Sequence, residues 1–295
     1  MAYRKYSKEE AKEKAEAKRS ELQSTLKTGV QALLSEMKQG KSERFLACLN
    51  FSSKFHRYSP NNQFLIMLEC LRRDITPEYV AGYTTWKRLN YTVRKGEKGI
   101  PIFAPCPIKK EDQDGEEETI MLFKVVYVFA DTQVEAMKEG MPPFPKFFTP
   151  LDGDCEQLCA RLVEVIQADG ITIVERALGG PLGMSEKGRI SIVPELESTN
   201  KFLVLIHEYA HELMHPREVS ANLETTVKEC HAEAVSYIVS HHFGIHNPFS
   251  SDYLQMWGND EKSLMAEIET VQRTAAAIIE KMEKPYQNDD SDIAA

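Results

Sequence analysis

Lys201–Pro216 reads KFLVLIHEYAHELMHP, and the second half of the chain is organised around it. Within it, His207-Glu208-Tyr209-Ala210-His211 is an H-E-x-x-H pattern. On a helix, two histidines four residues apart share one face and can grip one metal ion. Glu208, beside the first histidine, can then act as general base toward a metal-bound water. Ser198, Thr199 and Asn200 are candidate N-caps and Pro216 a stop signal, which predicts a helix here. Leu203, Ile206, Ala210, Leu213 and Met214 give it an expected apolar face.

A five-residue match also arises by chance, and two histidines can simply be core residues, so a third ligand decides the reading. The next helical pattern, Glu224–Gly244, has an apolar stripe at Ala232, Val235, Ile238 and Val239. Glu229 and Glu233 lie one turn apart on it. The expected metal ligands are His207, His211 and Glu229, with Glu233 outside them accepting a hydrogen bond from a ligand histidine. The exchange of Glu229 and Glu233 stays open. The ion expected is Zn2+, which in catalytic sites takes three protein ligands and leaves a position for water. His215 continues the same face, but eight residues along a straight helix is about 12 Å, too far for one shared ion. It reads as a helix-end residue near the C-terminal carbonyls. His231, between the two glutamates, is a further stand-in for a carboxylate, and His241, His242 and His246 read as surface or packing residues.

Hydrophobic residues make up 42% and charged residues 27% of the 295 positions, which fits a globular chain with room for two cores. No apolar run reaches the ~20 residues of a membrane helix, so no membrane association is expected. The first twenty residues lack an apolar core, so no signal peptide is read there. Cys48, Cys70, Cys106, Cys155, Cys159 and Cys230 form no CxxC pair and read as reduced thiols of a cytoplasmic protein.

The net charge of −9 conceals an asymmetry. Residues 1–110 hold 22 Lys and Arg against 11 Asp and Glu, whereas residues 111–295 hold 14 against 34. A basic half joined to an acidic half suggests a polyanion-binding domain followed by a different one. Ser7–Met37, Ser42–Phe55 and Asn61–Leu71 read as helices, and the alternating Lys and Glu of the first forty residues as a solvated helix face. A turn and short helix over Tyr79–Leu89 and strands at Tyr91–Lys95, Ile100–Ala104 and Met121–Ala130 follow, with Lys110–Glu118 as a charged hairpin loop. Pro142, Pro143, Pro145 and Pro150 mark a linker over 138–152. Beyond it come a helix at Cys155–Ala168, strands at Ile171–Glu175 and Arg189–Val193, the two metal helices, a short element at Phe249–Trp257, a helix at Glu261–Glu283, and a disordered acidic tail over 285–295. The expected fold class is α+β with two domains: residues 1–137 and 153–284.

Within the basic half, Arg57, Tyr58, Asn62, Trp86, Lys87, Arg88, Tyr91, Arg94, Lys95 and Lys98 mix cations with aromatics. Single strands are bound by basic grooves that follow phosphates and by aromatic side chains on which bases stack. Gly96 and Gly99 offer close backbone approach to a phosphate. The competing reading makes Trp86 a core residue and the charges its rim.

Tyr58-Ser-Pro-Asn-Asn62-Gln63, Val80-Ala-Gly82-Tyr-Thr-Thr-Trp86, Val93-Arg-Lys-Gly-Glu-Lys-Gly-Ile100, Ala104-Pro105 and Val126-Tyr-Val-Phe-Ala-Asp-Thr-Gln133 resemble the N-terminal domain of ArdC-like antirestriction proteins. The second half resembles the zincin domain of the same family through His207-Glu208-x-x-His211 and Glu229-x-x-x-Glu233. The resemblance spans roughly residues 10–280. It implies a single-stranded-DNA-binding domain fused to a zinc metallopeptidase-like domain, carried by mobile elements and protecting incoming DNA from restriction. The partners it implies are single-stranded DNA and a protein substrate. Two rival readings stand beside it: a DNA-binding module with a structural metal, and a regulatory protease that cleaves a repressor-type protein.

Overall fold

The structure is a computed structural model; it describes residues 7–111, 117–138, 155–215, 223–248, 257, 258 and 260–284. The expected linker from residue 139 on, the short element before Trp257, Pro216 and the acidic tail lie outside the described residues. The chain divides into two compact units, Met1–Phe148 with Asn259–Glu261, and Thr149–Gly258 with Lys262–Ala295. Among the described residues no helix is long and apolar enough to cross a membrane.

The first unit begins with α1 (Lys8–Lys38). Ser7 caps it: the Glu10 N–H donates to Ser7 Oγ at 3.1 Å, and the Ser7 N–H donates to Glu10 Oε2 at 2.8 Å. This reciprocal pair satisfies two helix-end donors. α2 (Glu43–Phe55) and α3 (Pro60–Arg73) follow, the latter opening on a proline that has no N–H to leave unpaired. Asp74 ends α3 in the left-handed region, at φ 55°. Next come β1 (Val80–Gly82), α4 (Tyr83–Arg88), β2 (Tyr91–Val93), β3 (Ile100–Glu111), β4 (Glu117–Ala130) and β5 (Val134–Ala136). β1, β4 and β3 form an antiparallel sheet in that order, and β2 pairs with β5. β3 and β4 stay in register out to Glu111 opposite Glu117, so the charged loop is shorter than the sequence suggests. Phe55, Ile66, Ile100, Ile102 and Val128 form the core between α3 and the sheet. Trp86, Tyr91, Ala81 and Val134 form a second cluster.

The second unit carries α5 (Cys155–Ala168), β6 (Thr172–Glu175), β7 (Gly183–Ser185), β8 (Arg189–Ile192), α6 (Ser198–Met214), α7 (Thr225–His242) and nearly all of α8 (Glu261–Glu283). β8 is central, parallel to β6 and antiparallel to β7, so β7 is an edge. α6 packs against α5, α7 and β7. Its buried face is Phe202, Leu205, Ile206, Tyr209 and Ala210; Leu203, Leu213 and Met214 are only half-buried, a correction to the expected stripe. Burying five such side chains is worth roughly 1.5–3 kcal/mol for each of the larger ones, enough to hold the helix in place. The expected stripe of α7, with Ala232, Val235, Ile238 and Val239, is fully buried. All six cysteines are free thiols.

Candidate functional site

α6 and α7 bring His207, His211 and Glu229 to one point. The Nε2 atoms of His207 and His211 stand 3.2 Å apart. Glu229 reaches across from α7, with Oε2 3.2 Å from His207 Nε2 and Oε1 3.4 Å from His211 Nε2. One donor atom of each residue lies within 4.8 Å of the other two, a grouping able to hold a metal ion. Glu233, one turn further along α7, places Oε2 3.8 Å from the opposite nitrogen of His207, Nδ1. The two carboxylates therefore address the two nitrogens of one imidazole. Two imidazoles and a carboxylate form the donor set that suits zinc.

The charges in this cluster support one another. Hydrogen bonds from His207 and then His211 hold the Glu229 carboxyl far below the usual range, against the effect of burial. For His207, burial opposes protonation, but the bond to Glu229 and the charges of Glu208 and Glu233 outweigh it and raise its pKa. Burial pushes the carboxyls of Glu208 and Glu233 up.

Around the cluster lies a cavity of about 630 Å³, walled by β7, the outer face of α6 and α7. Glu208 is 9% exposed and accepts the backbone N–H of Ser185. Glu212, one turn beyond Glu208, accepts from Ser185 Oγ at 2.5 Å and from the N–H groups of Lys187 and Gly188 at 2.9 and 2.7 Å. It fastens the β7–β8 turn, where Lys187 and Gly188 both have positive φ, onto α6. The sequence reading missed Glu212, although its i+4 spacing from Glu208 puts it on the same face. Tyr209 is fully buried and donates to Asp169, which also receives Lys281 Nζ, so its role is packing.

His215 ends α6 as its C-cap, its N–H donating to the His211 carbonyl, and its side chain makes two further contacts. Its Nδ1 lies 3.1 Å from His211 Nδ1 and its Nε2 3.5 Å from His231 Nδ1. Burial, then the neighbouring histidines, push it down to about 3. His241 accepts or donates within its own helix and stacks on Tyr237, and His242 meets Glu283, as packing residues do.

The basic–aromatic stretch of the first unit needs correction. Trp86 is fully buried, and its indole N–H donates to the Phe129 carbonyl at 3.0 Å, so no base can stack on it in this conformation. Tyr91 packs edge-on against it. Asn62 is buried and pairs both ways with the Phe103 backbone, and the Tyr58 hydroxyl donates to the Val80 carbonyl. These four side chains are structural. The Cβ side of Gly99 is covered by β4, where a Cβ would stand 2.7 Å from Tyr127 Cβ. Arg57, Lys87, Arg88, Arg94, Lys95 and Lys98 are exposed. Arg94 is tied to the Thr132 and Val134 carbonyls.

Fold and site together define a mixed helix-and-sheet protein of two compact units whose second unit carries a histidine–carboxylate cluster in a cleft. The first unit is similar to ArdC: residues 6–129 match the family model of the N-terminal domain of anti-restriction factor ArdC. A metal-free crystal structure of the antirestriction ArdC protein from the R388 plasmid superposes with a TM-score of 0.56 at 18% identity, covering 87% of this chain and 97% of that one. A manganese(II)-bound structure of that protein gives a TM-score of 0.49 at 18% identity, covering 78% and 90%. An uncharacterized protein of Bacillus anthracis is 26% identical over 288 residues; the match covers 82% of this chain and 48% of that protein, so this chain spans about half the length of its curated relative.

Proposed function

We propose that this chain is an antirestriction-type protein in which a single-stranded-DNA-binding first unit is joined, through the proline-rich stretch 138–152, to a zinc-dependent peptide hydrolase. The observation that carries the second half is the convergence of His207, His211 and Glu229, with donor atoms within 4.8 Å, at the floor of a cleft. His207, His211 and Glu229 would hold a zinc ion, which would supply Lewis acidity to a water in the cleft. Glu208 is the group that takes up a proton at its carboxylate and returns it to the leaving amine. Its burial, the Ser185 N–H and the close wall of Gly183 hold it in one position beside the cleft. Glu233 orients His207 from its Nδ1 side, and β7, as an edge, is where an extended peptide can lie along the cleft.

For the first unit, the surface with the right chemistry is a groove between α1 and β4 rather than the loop around Trp86. Two adjoining cavities, of about 1110 and 690 Å³, share Lys18, Glu21 and Tyr127. Together their walls carry nine Lys and Arg against three Glu. Phe123 and Tyr127 are each 49% exposed on the β4 side. Cations to follow phosphates and open rings to receive bases are what a single strand needs.

The test uses the zinc-loaded full chain. Hydrolysis of a quenched peptide library by the wild type, lost in Glu208→Gln with zinc retained, supports the hydrolase; cleavage undiminished in Glu208→Gln refutes it. Fluorescence anisotropy with a labelled 20-mer oligonucleotide at low salt tests the first unit. Tyr127→Ala should weaken binding by about 1–3 kcal/mol, and absence of binding by the wild type refutes the DNA reading.

A further inference from the structure

We infer that His215 is a positioning residue: backed by His231, it fixes the tautomer and ring orientation of His211. This rests on the metal reading of the cluster. His211 turns Nε2 toward His207 and Glu229, at 3.2 and 3.4 Å. A neutral imidazole that gives Nε2 to a metal carries its hydrogen on Nδ1. That nitrogen lies 3.1 Å from Nδ1 of His215. His215 Nδ1 must therefore be the bare acceptor, and the hydrogen of His215 sits on Nε2. There it faces Nδ1 of His231 at 3.5 Å, across rings whose planes differ by 19°. His231 in turn carries its hydrogen on Nε2. This nitrogen is buried with no hydrogen-bond partner among the described residues, and Glu267 Oε2 lies 3.8 Å from it. Glu267 is held in place by the Gly258 N–H at 2.8 Å, and Trp257 packs edge-on against His231.

The direction of donation is thus set along the whole row, from His211 through His215 and His231 toward Glu267. Ligand histidines commonly donate their second N–H to a carboxylate or carbonyl. Here a second imidazole, on the residue that caps α6, takes that place, and α7 and α8 set its tautomer. His215 touches no reacting atom and acts only through His211.

Zinc affinity of the full chain, measured by competition with a chromophoric chelator, tests this. His215→Phe, which keeps the ring volume and removes the acceptor, should weaken zinc about 10–100-fold. His215→Asn, whose Oδ1 replaces the Nδ1 acceptor, should recover most of the loss. Long-range proton–nitrogen-15 spectra of the zinc-loaded wild type should place hydrogen on Nδ1 of His211 and on Nε2 of His215, a signature that general packing would not set. Unchanged zinc affinity in a folded His215→Phe, or hydrogen on Nδ1 of His215, overturns the inference while leaving the metal reading intact. A wild type that binds no zinc removes both. If His215→Phe does not fold, the spectra of the wild type decide alone.

Discussion

The backbone of Gly183 on β7 lies directly against Glu208 on α6: a Cβ placed on Gly183 would stand 2.7 Å from both Cγ and Oε1 of Glu208, and 2.6 Å from Val204 Cγ1. No side chain fits between the edge strand and Glu208, the proposed general base, so the strand can seat Glu208 only because residue 183 is glycine. Gly183→Ala must push Glu208, Val204 or the strand aside. Overpacking of this kind costs about 1–3 kcal/mol. The expected outcome is a lower melting temperature and a loss of peptide hydrolysis with zinc stoichiometry unchanged, read by calorimetry, activity and metal analysis on one preparation. Activity and stability equal to wild type would show that the contact places no constraint on Glu208.

Trp86 and Phe129 make the corresponding test of the first unit. The indole is fully buried and donates to the Phe129 carbonyl, with Tyr79 and Tyr91 against its edges. Trp86→Ala should cost about 3–5 kcal/mol through the cavity it leaves, and the loss of tertiary structure should show in near-ultraviolet circular dichroism. Any DNA binding it loses should return in proportion to the folded fraction. A folded Trp86→Ala chain that has lost DNA binding would instead return the indole to a stacking role.

Glu69 gives a pH dependence. Hydrogen bonds from Arg72, then Arg73, hold its carboxyl down to about 2 against the effect of burial. A folded pKa below the unfolded one contributes stability above the unfolded value and loses it as pH falls through the folded value. The contribution of Glu69 should therefore be complete above about pH 4.5 and fade toward pH 2. After screening by solvent it should amount to about 1 kcal/mol. Urea unfolding of wild type and Glu69→Gln should differ at pH 6 and converge near pH 2; a gap that persists at pH 2 would assign the effect to packing.

Long amphipathic elements were legible in the sequence. The periodicity of Glu261–Glu283 matches α8 at both ends, and the helix expected over Ser7–Met37 is α1, Lys8–Lys38. The H-E-x-x-H spacing and the Glu229–Glu233 turn locate the cluster, because helical spacing alone places those side chains on shared faces. Features made by tertiary contact were not legible. β7 is three residues long within GGPLGMS, too short to show alternation, yet it forms one wall of the cleft. Trp86 sits among Thr, Lys and Arg on a six-residue helix, where no apolar stripe can announce its burial. The distance argument left His215 out of the expected ligands, but spacing carries no sign of the contacts that join it to His211 and, on α7, to His231.

The most direct measurement of the central claim is metal content of the purified full chain after zinc loading and dialysis. The account predicts about one zinc per chain, abolished in the His207→Ala, His211→Ala double variant, with Glu229→Ala weakening zinc far more than Glu233→Ala, whose loss should be about 10–100-fold. A wild type without zinc, or stoichiometric zinc retained in the double variant, would contradict it.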